Sequence, residues 1–149
     1  MALYSTLFTL TTAPIHLLQS VEIPTVTNAR ASGDYHPGND QWNTGITSIL
    51  AHAVGIAPSK DNFWTTRVQK GTHYDGGNAT EPYNRLQAAA IISTTGPVAT
   101  SDMIGGSDRD LIMTMCDEGG MLLQPDKPAT ELDDYFLYQV RGRSLRWLL

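Results

Sequence analysis

The chain has 149 residues, 41% hydrophobic and 17% charged, with a net charge of -5. Such a length holds one compact domain, and the balance argues against intrinsic disorder. The acidic charge disfavours a nucleic-acid partner, since such binders usually show a basic stripe, and no apolar run approaches the roughly 20 residues that span a bilayer.

Cys116 is the only cysteine, so neither an internal disulfide nor a thiolate metal cage can form. Met113 and Met115 beside it point to a buried helical position. The first 13 residues are mildly apolar but lack the positive start of a secretory signal. Asn78-Ala79-Thr80 is a glycosylation sequon, usable only in a secreted protein, so the compartment stays open. Arg141, Arg143 and Arg146 read as a solvated tail.

In chain order, residues 7–12 are rich in β-branched and aromatic types and are expected to form a strand. Pro14 suits the first turn of a short helix ending at Ser20. A second extended run starts after Pro24 and leads into Arg30 and Asp34. The spacing of Trp42, Ile46, Ile49, Leu50 and Ala53 predicts a helix over 41–54, with Asn39 or Asp40 as N-cap and Gly55 as its end. Residues 63–66 are a short strand candidate, and 67–79 a polar loop loosened by Gly71, Gly76 and Gly77. Thr80 is expected to cap a helix through Ile92, with Tyr83, Leu86 and Ala90 on one face. Gly96-Pro97 interrupts, and residues 98–101 extend toward Asp102. Ser107-Asp108-Arg109-Asp110 has the form of a capping box, opening a helix that carries Leu111, Ile112 and Met115 and stops at Gly119-Gly120. The remainder, with Pro125 and Pro128, is expected to be a connecting segment.

Alternating strands and helices imply an α/β fold with a parallel sheet. An open doubly wound domain fits the length, and so does part of a barrel; a whole (β/α)8 barrel takes about 250 residues, so this chain could supply about four βα units. In either case functional side chains gather at the C-terminal ends of strands. Asp34, Asp61 and Asp102 stand at such places. Arg30 lies four residues before Asp34 and Tyr35 adjoins it, groups able to hold and tune a carboxyl. The same residues are compatible with a plain turn cap at Asp34, helped by Gly33.

Arg30-Ala31-Ser32-Gly33-Asp34-Tyr35 resembles the Arg-x-Ser-x-Asp segment of the raffinose synthase and α-galactosidase group of retaining glycosidases. Further pieces resemble that group in order: residues 42–63, leading to Pro58-Ser59-Lys60-Asp61-Asn62-Phe63; residues 81–96; Gly96 through Gly105 with its Ser101-Asp102 pair; and Gly120-Met121-Leu122-Leu123-Gln124-Pro125. The resemblance implies a partial (β/α)8 TIM-type barrel, about its last four βα units, over residues 1–136, followed by a tail over 137–149. It implies Asp34 as the general acid/base, with Arg30, Asp61, Trp64 and Asp102 contacting a carbohydrate substrate, α-linked galactosides or related sugars. No cofactor or metal is implied. The family's Asp-Asp is here Gly33-Asp34, its Asp-Trp is Ser59-Lys60, and its Cys-Met pair is Thr11-Thr12. Its nucleophile lies on an upstream Lys-x-Asp strand with no counterpart among these residues.

The chain is therefore expected to be a fragment of a glycoside hydrolase or transglycosidase that cannot form a glycosyl-enzyme intermediate by itself. A non-catalytic carbohydrate-binding or non-functional remnant is the alternative. Exposed barrel edges would favour oligomerisation. Trp64 is compatible with sugar stacking and with a core position. His36, His52 and His73 fit no metal-ligand spacing, no Gly-x-Ser-x-Gly elbow or phosphate loop is present, and Asp75-Gly76-Gly77-Asn78 offers too few oxygens for calcium.

Overall fold

The computed structural model of the chain describes residues 6–7, 21–39 and 44–130. Three short parallel strands, β1 (Thr6–Leu7), β2 (Asn28–Arg30) and β3 (Ala57–Ser59), lie in that order in one sheet. Leu7 pairs with Arg30, and Arg30 with Ser59. Parallel neighbours need a crossover, and α1 (Gly45–Ala53) provides it between β2 and β3, packing on β3. Gly55 ends α1 as expected. It adopts φ of 78°, and its N–H donates to the His52 carbonyl at 3.0 Å, the left-handed terminator that only glycine adopts without strain. Residues 8–12 of the strand expected over 7–12, the helix over 14–20, Trp42 and the tail over 137–149 lie outside the described residues.

A 3-10 turn (Tyr74–Gly77), α2 (Asn84–Ile92) and α3 (Arg109–Met113) follow β3. The expected fold, the last four βα units of a TIM-type barrel, is not formed. The described residues make a small α/β unit with little regular structure, whose strands are two or three residues long. The runs over 63–66 and 98–101 meet only in a single parallel bridge, Phe63 with Thr100. The reason lies in where the backbone donors go. The Trp64 N–H donates to the Tyr35 hydroxyl at 3.1 Å, and the Thr65 N–H to Asp102 Oδ1 at 2.8 Å. Donors satisfied by side chains cannot extend a ladder, so the sheet stops there.

The main core joins Tyr35, Phe63 and Trp64 to Ala88 and Ile91 of α2 and to Leu111 and Met115. Its α2 face differs from the expected one: Gln87, Ala88 and Ile91 are buried, whereas Tyr83 and Leu86 face outward. Periodicity favoured the bulkier stripe, but Gln87 turns inward because its amide donates to Glu81 and to the Asn39 carbonyl. Gly96 approaches β3 closely, its N–H bonding the Pro58 carbonyl at 2.8 Å. A Cβ there would sit 2.6 Å from that same oxygen.

Asp108, one residue later than the expected cap, starts α3 by accepting the Leu111 N–H at 3.0 Å. The helix is short. Cys116 is not helical but forms an antiparallel bridge with Leu122, across a turn where Gly120 has φ of 84°.

Candidate functional site

Arg30 ends β2, and its guanidinium reaches two carboxylates. Nη1 donates to Asp61 Oδ2 at 2.9 Å and Nη2 to Asp34 Oδ1 at 2.5 Å. A planar fork suits this, since its donors diverge in fixed directions. The two carboxylates differ in setting. The Asp34 side chain is 85% exposed, while that of Asp61 is 16% exposed. Asp61 Oδ2 also accepts the Tyr35 N–H at 2.8 Å, and its Oδ1 accepts the Asn62 N–H at 2.9 Å and the Asn62 amide at 3.1 Å. A carboxylate has about four acceptor sites, so those of Asp61 are taken up within the protein. Ser32 completes the loop junction, its hydroxyl accepting the Asp61 N–H at 2.8 Å.

Tyr35 links this cluster to a buried carboxyl. Its hydroxyl donates to Glu81 Oε2 at 2.8 Å. Glu81, itself fully buried, also accepts from the Gly38 N–H, the Tyr83 N–H and the Gln87 amide. Burial pushes the Tyr35 phenol well above its ordinary value, and the Glu81 carboxyl adds to that; the Trp64 N–H bond opposes it. Lys60, also buried, places its ammonium 5.6 Å from the Tyr35 ring centre and 5.8 Å from that of Phe63. It donates to the Asp61 carbonyl at 3.2 Å. Burial lowers the Lys60 pKa to about 8, against the pull of Asp61 and Glu81.

On the other side of Asn62 lies a cleft of about 340 Å³. Asn62, Trp64 and the Ser101-to-Met103 segment line one part of it, and the stretch from Gln69 to Tyr74 the other. Tyr74 meets Trp64 edge to face at 5.9 Å, the His73 ring lies tilted over Tyr74 at 4.2 Å, and the Tyr74 hydroxyl donates to the Tyr35 carbonyl. Asp102 stands between the cleft and the core. Its Oδ1 accepts the Thr65 N–H and the Gln69 amide, and its Oδ2 the Thr65 hydroxyl, at 2.7 to 2.8 Å.

Of the residues expected to form the site, Arg30, Asp34 and Asp61 come together, and Trp64 and Asp102 meet at the neighbouring cleft. Trp64 is a core residue with 3% exposure that nonetheless touches the cleft. Sequence reading missed Glu81, Lys60, Gln69 and Tyr74, because each acquires its role from a partner far along the chain. Asp75 and His36 approach at 3.6 Å, yet among the described residues no group of three His, Cys, Asp or Glu side chains could hold a metal ion, and no helix is long and apolar enough to cross a membrane. Searches of family models, curated proteins and solved structures gave no match to this chain.

Proposed function

We propose that this chain binds carbohydrate without transforming it, seating one sugar ring in the cleft beside Asn62. The observation that carries this reading is the pairing of an aromatic wall with a polar rim. Half-buried Tyr74, backed by the buried Trp64 and flanked by the His73 ring, offers an aromatic surface, and Asn62, Thr72 and Ser101 offer amide and hydroxyl groups on the same cleft. Sugars present that combination of an apolar ring face and a polar edge, which amphipathic aromatic side chains match. Asp61 and Asp102 serve this site by holding Asn62 and Gln69 in place rather than by meeting the ligand.

A second reading, a glycosidase-type acid/base at Asp34 within a longer protein, is favoured by one feature. Asp34 is exposed at the end of β2 and gripped by the arginine that also grips Asp61. Glycoside hydrolysis needs a second carboxylate poised at the sugar, and Asp61 is committed to internal donors.

Calorimetric titration of the chain with melibiose and raffinose tests the proposal, with Ser101→Trp as the comparison. Ser101 is exposed on the cleft wall, so an indole there fills the space without touching the core. The expected result is binding that falls by at least about tenfold in Ser101→Trp, with unchanged melting and no release of galactose. Binding insensitive to that substitution removes the cleft from the function. Galactose release abolished by Asp34→Asn establishes the second reading instead.

A further inference from the structure

We infer that the ligand of this cleft is an anionic saccharide, one whose ring or chain carries a carboxylate or a sulfate; the inference rests on the carbohydrate reading above. The argument comes from the charges on the lining. Lys70 and His73 are the basic residues there and Asp102 the acidic one. These do not cancel at the ligand. Asp102 gives three acceptor positions to Thr65 and Gln69, so its charge is spread into donors on the protein side. Gln69 is itself held, its carbonyl oxygen accepting the Met103 N–H at 2.9 Å.

Lys70 and His73, by contrast, stand exposed on the cleft wall and make no ion pair among the described residues. The wall that carries them folds back on itself. Gly71 has φ of 76°, a backbone state open to glycine, and the Tyr74 N–H donates to the Thr72 hydroxyl at 3.2 Å. Two cationic-capable groups thus sit three residues apart on one short turn, on a chain whose overall charge is -5. A neutral sugar uses neither. An acidic sugar seated against this turn would meet both, and exposed pairs of this kind add modestly to affinity.

The test is titration of the chain at low salt with three probes of matched length: oligogalacturonate, a sulfated galacto-oligosaccharide and a neutral galacto-oligosaccharide. The expected result is that at least one anionic probe binds on the order of fivefold more tightly than the neutral one. That margin should shrink in 0.5 M salt, on the order of threefold or more, since exposed pairs are screened. Lys70→Met should cut the margin at least by half and Lys70→Arg restore it, each margin being taken as the ratio to the same variant's neutral-probe affinity. The relative affinities of the two anionic probes tell carboxylate from sulfate. Equal binding of all three overturns this inference and leaves the carbohydrate reading standing. An anionic margin indifferent to Lys70→Met overturns it too, since the charge would then be met elsewhere. Absence of binding by every probe overturns the carbohydrate reading and this inference together.

Discussion

The polar centre of this molecule and its C-terminal margin are built by opposite means. In the centre, Arg30, Tyr35, Lys60, Asp61 and Glu81 are largely withdrawn from water, and almost every donor finds an acceptor at a stated place. Along the margin, Met103, Ile104, Met121, Leu122 and Leu123 are all exposed, Ile104 completely, and the local structure is a bridge and a turn. Buried polar groups are costly unless paired, so the centre tolerates few alternative arrangements. Apolar side chains on a surface impose no geometry of their own. The contrast shows that specificity here comes from hydrogen bonding around a modest core rather than from an extended sheet.

Breaking the centre should cost most. Glu81→Ala leaves the Tyr35 hydroxyl, the Gly38 and Tyr83 N–H groups and the Gln87 amide without their shared acceptor. We expect a loss of about 3–5 kcal/mol, a large part of the roughly 5–15 kcal/mol typical of a domain. Urea unfolding followed by circular dichroism measures it, and a loss under about 1 kcal/mol would remove Glu81 from the centre's role.

Lys60 offers a sharper, pH-dependent probe of the same region. Its folded pKa of about 8 lies below the unfolded 10.5, so the folded chain binds fewer protons in that window. Stability contributed by Lys60 is therefore present above pH 10.5 and is lost as pH falls toward 8, by about 3 kcal/mol at most. Tyr35 acts oppositely: its raised pKa gives stability that is full below 10 and fades above it. The difference between the wild type and Lys60→Met isolates the lysine. Lys60→Met should gain on the wild type at neutral pH, and its advantage should shrink as pH rises from about 8 to 10.5. A difference that stays constant with pH would show Lys60 to be equally solvated in both states.

The margin should respond least in stability and most in self-association. Leu122→Ser with Met121→Ser should change unfolding free energy by less than about 1 kcal/mol, since exposed sites away from special features rarely exceed a few tenths each. Sedimentation velocity should show less association in this double variant than in the wild type, since contiguous exposed apolar side chains favour self-association. Equal association in both proteins would assign it to another surface.

Several local features were legible because they depend only on neighbours in sequence. Gly55 closing α1 and a helix opening near residue 108 follow from backbone sterics and short-range hydrogen bonding, although the cap is Asp108 and not the expected Ser107. Arg30 and Asp34 were marked as a pair by nearness in sequence, and the turn after β2 brings them into contact. The buried face of α2 was not legible, because Gln87 is chosen over Leu86 by Glu81 and Asn39, whose approach no helical period records. Nor was the missing barrel. The runs over 63–66 and 98–101 have strand-like composition, yet their donors are claimed by Tyr35 and Asp102, and composition carries no information about competing acceptors.

The same division separates the two parts of the candidate site. Sequence chemistry alone marks Arg30, Asp34, Asp61 and Asp102 as groups able to meet a polar ligand, and excludes an internal disulfide or a thiolate metal cage. Only the tertiary structure decides which of them remain available. It spends the acceptors of Asp61 and Asp102 on the protein's own donors, sets Asp34 against Arg30, and leaves Lys70 and His73 at the surface. The physical reason is that acceptor capacity is finite and is allocated by three-dimensional proximity, which residues 31 and 37 positions apart acquire only on folding.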